Sequence, residues 1–230
     1  MNSVSTVYLV EDDLALRTAL QSLLHSAGWQ CAAFGSAEEF LAAHEGQVPG
    51  CLVLDLRLPG QDGLALVEAL RCAGCRRSTV FISGLCSITE SVRAMKAGAV
   101  DFLVKPFEDE ALLAAVQRAL EDDARTRTEA LRLDALRIRL DSLTARERQV
   151  MGQVVRGRLN KQIAADLGTS EKTIKVHRAR AMQKMGVQSL AQLVRMAVEL
   201  GLMAEQAEAE SDCRQAPAAR RSPPPVPPAM

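Results

Sequence analysis

The sequence predicts an α/β fold with a five-stranded, doubly wound parallel sheet, followed by an all-α helix-turn-helix domain. Three observations support this. Five short apolar runs alternate with amphipathic stretches over the first 120 residues, which is typical of repeated strand-helix units. Several of the runs end at polar residues. Beyond residue 140, helix-capping residues surround short helical patterns and a Gly-containing turn.

Each strand is predicted from a short run rich in β-branched, aromatic or small apolar residues. The five predicted strands are Thr6 to Val10, Gln30 to Phe34, Cys51 to Asp55, Thr79 to Ile82 and Phe102 to Val104. An amphipathic stretch follows each one, so the strands are expected to be parallel, covered by helices on both faces and connected with right-handed crossovers.

Polar side chains stand where four of these runs end: Glu11-Asp12, Asp55, Ser83 and Lys105. The carboxyl ends of parallel strands share one edge of the sheet, so we expect these groups to share one pocket. Clustered carboxylates repel one another unless a cation joins them, and oxygen ligands of this kind suit Mg²⁺. A carboxylate there can attack phosphorus, and a lysine ammonium can stabilise the transferred charge.

The residues in this pattern resemble the receiver domain of bacterial two-component response regulators, which has a flavodoxin-like fold. The matching motifs, over residues 4 to 120, are Val10-Glu11-Asp12-Asp13, Leu54-Asp55-Leu56-Arg57-Leu58-Pro59-Gly60, Ile82-Ser83-Gly84 and Asp101-Phe102-Leu103-Val104-Lys105-Pro106-Phe107. Two departures are Glu rather than Asp at position 11, and Leu85-Cys86-Ser87 where relatives usually carry a small, Gly-rich loop.

The resemblance implies a role for each residue of the pocket. Asp55 would be the phosphoacceptor. Asp12, Asp55 and the backbone carbonyl of Arg57 would bind Mg²⁺, with Glu11 acting through water. Ser83 would be the switch hydroxyl, Phe102 the switch aromatic residue and Lys105 the lysine of the family motif, followed by a cis bond to Pro106.

Two alternatives to this interpretation stay open on the sequence alone. Asp12 or Asp13 could simply cap the helix that begins near Leu14. A Mg²⁺-dependent phosphohydrolase could also use Asp55 as its nucleophile, but its usual signature has a second Asp two residues later, where this chain has Arg57. That enzyme class would leave the basic helix-turn-helix unexplained, so the chain is not expected to be an enzyme.

A long helical pattern without Pro or Gly extends from Glu108 to about residue 140. We interpret it as a receiver helix that continues into a solvated linker. A short coiled-coil seam is an alternative, although the apolar spacing is broken between Leu120 and Leu131. On that hypothesis, replacing Leu131 and Leu136 with polar residues should abolish self-association.

The C-terminal part of the chain has the capping pattern of a helix-turn-helix. Thr144 with Glu147 forms a capping box, a second helix starts near Asn160 and ends at Gly168, and Ser170 caps a third. The last of these helices is placed to enter a major groove. The run Ala164-Ala165-Asp166-Leu167-Gly168-Thr169-Ser170-Glu171-Lys172-Thr173-Ile174-Lys175-Val176-His177-Arg178 resembles the LuxR-type DNA-binding domain.

Together, the two resemblances identify the chain as a member of the NarL/FixJ class of response regulators. They imply phosphorylation by a sensor histidine kinase, Mg²⁺ as cofactor, homodimerisation through the receiver helices near residues 88 to 97 and 108 to 120, promoter DNA binding and contact with RNA polymerase, usually for activation. The alternative function is a phosphorylation-independent DNA-binding regulator that uses the receiver as an assembly module.

Side chains near the start of the predicted recognition helix are the candidates for DNA contact. Lys175, Val176 and Arg178 are expected to meet base edges. Lys172, Thr173, Arg180 and Lys184 are expected to anchor the phosphate backbone, and His177 to pack or to contact a phosphate. The buried face should consist of Ile174, Ala181 and Met185.

Composition supports a soluble regulator with four parts: a receiver at 1–120, a helical linker at 121–142, a DNA-binding domain at 143–203 and a Pro-rich disordered tail at 204–230. Residues 1–120 contain 9 basic residues (Lys and Arg) and 14 acidic residues (Asp and Glu), whereas residues 141–200 contain 11 basic and 5 acidic residues. The basic excess therefore marks the part of the chain expected to bind nucleic acid. No apolar run suits a membrane span and the start lacks a secretory signal, so a cytoplasmic protein is expected. Six cysteines, including Cys72 and Cys75, form no convincing metal or disulfide framework.

Overall fold

The computed structural model describes residues 5–43, 48–84 and 88–202. Two sequence-based expectations, the altered loop at 85–87 and the disordered tail from 204, lie outside these residues. The described chain forms two compact units, one up to Glu129 and one from Ala130.

The first unit is built on five parallel strands: β1 (Thr6–Val10), β2 (Gln30–Phe34), β3 (Gly50–Asp55), β4 (Thr79–Ser83) and β5 (Asp101–Val104). Their spatial order is β2-β1-β3-β4-β5. The predicted strands differ from these by one residue at most, and the predicted fold class is confirmed. Because the order reverses between β1 and β3, the crevice beyond their carboxyl ends is the expected ligand site of such a sheet.

Helices cover both faces of the sheet: α1 (Leu14–Ser26), α2 (Ala37–Ala43), α3 (Gly63–Cys72), α4 (Ile88–Lys96) and the start of α5 (Asp109–Asp141). One core contains Phe40, Leu66 and Leu70 against one face, and the other contains Leu24 and Leu112 against the opposite face. Every residue of β3 is buried. That burial explains why its sequence is a continuous apolar run rather than an alternating one.

Helix α5 is continuous for 33 residues, and the predicted linker at 121–142 falls within it except for its last residue. The expectation of a solvated linker is wrong for part of it, because Asp123, Leu136 and Leu140 are buried. Leu136 is therefore a structural residue of its own chain, and replacing it could not test a coiled-coil seam cleanly. Leu131, by contrast, is 71% exposed.

The second unit continues with α6 (Ala145–Val155), α7 (Asn160–Asp166), α8 (Glu171–Met185) and α9 (Leu190–Glu199). Its core includes Val150, Ile163, Ile174 and Leu193. Thr144 and Glu147 form the predicted capping box, and Ser170 caps α8 as predicted. Gly168, at φ 59°, provides the left-handed residue that ends the turn after α7.

None of the helices in the described parts of the chain combines the length and the apolar character needed to span a bilayer.

Candidate functional site

Three charged side chains from three strand ends meet at the carboxyl edge of the sheet. The Lys105 Nζ lies 2.6 Å from Asp55 Oδ2 and 2.7 Å from Glu11 Oε2. Glu11 directly follows β1, Asp55 ends β3 and Lys105 directly follows β5. The parallel topology therefore joins residues that are 94 and 50 positions from Lys105 in sequence.

These groups are largely removed from water. Glu11 is 1% exposed and Asp55 is 6% exposed. Burial raises the pKa of Glu11, with a further rise from the neighbouring Asp55 charge, and the hydrogen bond from Lys105 only partly offsets this. For Lys105, burial acts to lower the pKa, but hydrogen bonds to Asp55 and Glu11 outweigh it and the pKa is raised. Lys105 therefore stays an ammonium at neutral pH.

Asp12 and Asp13 have different environments. The carboxylate of Asp13 accepts hydrogen bonds from the backbone N–H groups of Ala15 (2.8 Å) and Leu16 (3.1 Å), which makes it the N-cap of α1. These bonds lower the pKa of Asp13. Since Asp13 provides the cap, the capping alternative does not apply to Asp12, which is exposed beside the pocket.

The carboxylate oxygens of Glu11, Asp12 and Asp55 lie within 4.8 Å of one another. Hard oxygen donors at this separation fit Mg²⁺, which typically takes one or two carboxylates and keeps several waters. The backbone N–H of Arg57 donates to Asp55 Oδ1 at 2.8 Å, which holds that carboxylate at the pocket. In the described part of the chain, this is the only group of three such potential metal-ligating side chains, so His177 belongs to none.

Arg17 is a residue of this site that the sequence analysis missed. Its guanidinium donates to the backbone carbonyls of Glu11 and Asp12, the Asp12 bond being 3.2 Å long. It therefore fixes the backbone that carries both acidic side chains. The sequence feature that could have indicated this role is the position of Arg17, one turn into the helix that follows Glu11 and Asp12.

The two predicted switch residues lie on the neighbouring strands. Ser83 ends β4 and is fully buried, and its carbonyl accepts the Lys105 backbone N–H at 2.8 Å. Phe102 is half-buried on β5, against the core that contains Phe81. The bond between Lys105 and Pro106 is cis, as predicted.

Helix α8 presents a second candidate site within the C-terminal unit. Ile174, Ala181 and Met185 are buried and fix one face of the helix, as predicted. Of the predicted DNA contacts, Lys172, Lys175, Val176 and Arg180 are exposed, whereas Thr173, His177 and Arg178 are half-buried. The exposed side chains and the capped N-terminus of α8 form a basic surface of the kind that enters a major groove.

Three of these side chains also have partners within the unit. Arg178 Nη1 donates to Asn160 Oδ1 at 3.4 Å, which links α8 to the start of α7. Lys175 Nζ lies 3.4 Å from Glu171, an exposed pair that contributes little to stability. The Thr173 hydroxyl lies 2.9 Å from that of Ser170 at the helix cap.

Lys184 does not fit its predicted place among the phosphate contacts. Its ammonium donates to Glu147 Oε2 at 2.7 Å and to the carbonyl of Ser142 at 3.0 Å. Glu147 is 3% exposed, and hydrogen bonds from Lys184 and from the Thr144 backbone lower its pKa to about 2. Lys184 instead joins the C-terminal end of α8 to the N-terminus of α6.

Comparison with known proteins gives the same division of the chain. Residues 7–117 match the model of the response regulator receiver domain, and residues 141–197 match that of bacterial regulatory proteins of the luxR family. Nodulation protein W of Bradyrhizobium diazoefficiens is 46% identical over 88% of this chain and 89% of its own length. The transcriptional regulatory protein FixJ of the same species is 39% identical over 88% and 99%.

A solved structure of the response regulator StyR is similar over 85% of this chain and 98% of its own, with a TM-score of 0.74 and 45% identity. Similarity of this extent covers both units rather than the receiver alone. The relatives are transcription regulators and not enzymes, so the phosphohydrolase alternative is excluded. The chain therefore belongs to the two-component response regulators of the FixJ type, which join a receiver domain to a LuxR-type DNA-binding domain.

Proposed function

We propose that this protein accepts a phosphoryl group on Asp55 from a sensor histidine kinase and, as a homodimer, then binds promoter DNA to activate transcription. The observation that carries the proposal is the contact of the Lys105 ammonium with both Asp55 and Glu11. A buried carboxylate beside an ammonium and two further acidic groups has the features of an activated nucleophile with its charge stabiliser.

In the proposed transfer, a carboxylate oxygen of Asp55 attacks the phosphorus of the kinase phosphohistidine, and the bond from phosphorus to the imidazole nitrogen breaks. Glu11, Asp12, Asp55 and the Arg57 carbonyl would hold Mg²⁺, the cofactor. When bound, Mg²⁺ would offset the negative charge of the phosphoryl oxygens. The Arg57 N–H keeps the Asp55 carboxylate oriented. The Lys105 ammonium, whose Nζ is 2.6 Å from Asp55 Oδ2, would stabilise the negative charge of the phosphoryl group.

The proposed switch runs from the pocket to the α4–β5–α5 face of the receiver. Ser83 would donate a hydrogen bond to a phosphoryl oxygen, and Phe102 would move toward the space that the hydroxyl leaves. Val92, Met95 and Val104 on this face are 44%, 50% and 52% exposed. Exposed apolar side chains on adjacent elements suit a surface that pairs with a second receiver.

In the proposed DNA complex, Lys175, Val176 and Arg178 contact base edges and Lys172, Thr173, His177 and Arg180 contact phosphates. The exposure of Lys172, Lys175 and Arg180 supports this assignment. A homodimer would present two α8 helices to half-sites about one helical turn apart. RNA polymerase would then be the partner at the promoter.

The first test compares the protein with its Asp55→Asn variant after incubation with Mg²⁺ and a small-molecule phosphodonor. We expect a mass gain of one phosphoryl group and a shift to dimer in the wild type alone. An absence of gain, while a control receiver is modified under the same conditions, would contradict the proposal. Undiminished promoter activation by Asp55→Ala would instead identify a phosphorylation-independent regulator that uses its receiver for assembly.

A further inference from the structure

The part of α5 beyond residue 130 is apolar on two opposite sides. At 3.6 residues per turn, Leu133, Leu136 and Leu140 share one side, and Leu131, Ala135 and Ile138 share the other. The first three are buried or half-buried, and Leu140 belongs to the core of the C-terminal unit. The helix therefore already uses one apolar side within its own chain.

The second side, which we call the Leu131 face (Leu131, Ala135 and Ile138), is exposed. Leu131 is 71% exposed and Ile138 is 72% exposed, the two highest values among the large hydrophobic side chains of the described residues. Their separation of seven residues, with Ala135 between them, is the spacing by which two helices pack along each other. Leu136, which the sequence analysis assigned to such a seam, lies on the opposite side.

Charged residues of opposite sign line the two edges of the Leu131 face. Arg132 and Arg139 follow Leu131 and Ile138 by one position and form one edge. Asp134 and Asp141, on the other side of the face, form the second edge. The face therefore has a basic edge and an acidic edge.

This pattern is self-complementary in one orientation only. When two copies of the helix lie parallel about a two-fold axis, Asp134 of each copy faces Arg139 of the other, which gives two pairs of opposite charge. An antiparallel pair would place Arg beside Arg and Asp beside Asp. The same pattern thus favours a second copy of this chain over an unrelated apolar partner.

The charged residues have contacts within the chain that this pairing would share or replace. Asp134 pairs with Arg137 at 2.9 Å and Arg132 with Glu199 at 2.6 Å, while Arg139 donates to the Met185 carbonyl at 3.3 Å. Asp141 pairs with Arg148 at 3.0 Å. The three ion pairs lie at the surface, where such pairs typically contribute little to stability, so their rearrangement would cost little.

We propose that the Leu131 face is a parallel dimer contact with a second copy of this chain. Three apolar layers are fewer than a free-standing coiled coil needs, so the contact strengthens a dimer whose receivers are already paired. This deepens the dimer step of the proposed function, but it does not depend on which stimulus brings the receivers together.

The test is sedimentation equilibrium on the full chain, with and without Mg²⁺ and phosphodonor, with intact mass recorded for each sample. Leu131→Asp/Ile138→Asp is expected to weaken the wild-type dimer about tenfold or more, because apolar contact is replaced by paired negative charges. Leu159→Asp is the matched control, since Leu159 is a 68% exposed apolar residue at the N-cap of α7 in the same unit. Leu159→Asp should leave the dimer dissociation constant unchanged.

A charge exchange tests the parallel arrangement itself. In Asp134→Arg the substituted arginine faces Arg139 of the other copy, and in Arg139→Asp the substituted aspartate faces Asp134, so each variant alone should dimerise more weakly than the wild type. An equimolar mixture of the two should regain the wild-type dimer dissociation constant, because in the mixed dimer opposite charges face each other again at both 134–139 contacts. Thermal melts of both variants check that they are folded.

The inference is overturned if Leu131→Asp/Ile138→Asp dimerises like the wild type, if the wild type stays monomeric in both conditions, or if the mixed charge variants remain weak. A wild type that gains no phosphoryl group yet dimerises through the Leu131 face would contradict the proposed phosphorylation step and leave this inference standing.

Discussion

Lys105 is the residue on which the charge balance of the acidic pocket depends. It is the donor to both Glu11 and Asp55, and both acceptors are almost entirely buried. Removing one member of a buried ion pair leaves the other charge uncompensated, which generally costs more than the pair itself contributes. The effect should be visible in stability as well as in phosphoryl chemistry.

The Lys105→Met variant should therefore lose stability in a pH-dependent way. Because the pKa of Glu11 is raised above its usual 4.5 in the folded protein, its contribution is present at low pH and is lost as pH rises. Without Lys105 the pKa of Glu11 should rise further, so the loss of stability should extend to higher pH and reach about 3 kcal/mol at neutral pH. Denaturant melts followed by Trp29, the only tryptophan of the chain, report on this unit.

Adding Mg²⁺ distinguishes loss of the Lys105 charge from a general packing defect as the cause of the lost stability. The variant should gain more stability from Mg²⁺ than the wild type, because its acidic groups lack the ammonium. Equal stabilisation of both proteins would argue against the Lys105 charge as the cause. Lys96→Met, which removes an exposed lysine at the end of α4, is the control.

Glu147 has the opposite pH behaviour in the C-terminal unit. Its folded pKa of about 2 lies below the usual 4.5, so its contribution is complete above about pH 4.5 and is lost as pH falls toward 2. Glu147→Gln should melt at a lower temperature at neutral pH and should show a smaller decline on acidification. Helical circular dichroism across pH measures this, and Glu171→Gln, an exposed acid on α8, should behave like the wild type.

At the scale of secondary-structure elements, caps and buried polar contacts hold the helices in place. Asp123, on α5, accepts the Gly50 backbone N–H at 3.0 Å and pairs with Arg127 at 2.8 Å. Arg127 also donates to the Val48 carbonyl at 2.7 Å. These contacts join α5 to the start of β3, beyond the boundary at residue 120 that the sequence suggested.

Asp123→Ala should lower the free energy of unfolding of the first unit by about 2 kcal/mol, because it leaves the buried Gly50 N–H without its acceptor. Asp123→Asn keeps an acceptor oxygen and should lose less. Hydrogen exchange at Gly50 should accelerate in the alanine variant. Unchanged exchange there would show that this contact does not hold α5 in place.

Ser170→Ala removes the N-cap of α8 and should cost about 1 kcal/mol, whereas Ser170→Gly should cost only a few tenths. The reason is that the Ser170 hydroxyl accepts the Thr173 N–H, and glycine is itself a tolerated cap. Thermal melts of the C-terminal unit measure the difference. Equal losses from both substitutions would contradict a capping role.

At the scale of the whole molecule, charge is divided between the two units. The receiver region is acidic, with 9 basic against 14 acidic residues in 1–120, and the DNA-binding region is basic, with 11 against 5 in 141–200. Binding to DNA releases counterions in proportion to the phosphates contacted. Salt dependence therefore reports which lysines and arginines take part.

Lys172→Ala and Arg180→Ala should each reduce the slope of log affinity against log salt by about 1, with a similar loss on different DNA sequences. Fluorescence anisotropy with duplexes of unrelated sequence measures this. Lys161→Ala, which changes an exposed lysine outside α8, serves as a comparison. An unchanged slope for Lys172→Ala and Arg180→Ala would remove them from the phosphate contacts.

The order of elements and the position of the acidic pocket were predictable from the amino-acid sequence alone. Strand-length apolar runs and the topology of parallel sheets were enough to place Glu11, Asp55 and Lys105 at one edge. Capping residues such as Thr144 and Ser170 predicted helix starts because their hydroxyls satisfy backbone N–H groups within three positions in sequence. Both signals are local or follow from a general rule of topology.

Side-chain pairs between residues far apart in sequence were not predictable, because they depend on how the elements pack in three dimensions. Lys184 is 37 residues from Glu147, and Asp123 is 73 residues from Gly50. The structure likewise decided which apolar side of α5 is buried, placing Leu136 inside and Leu131 outside. A helical pattern lists apolar positions, but the fate of each position depends on what packs against it, and that is set by the rest of the fold.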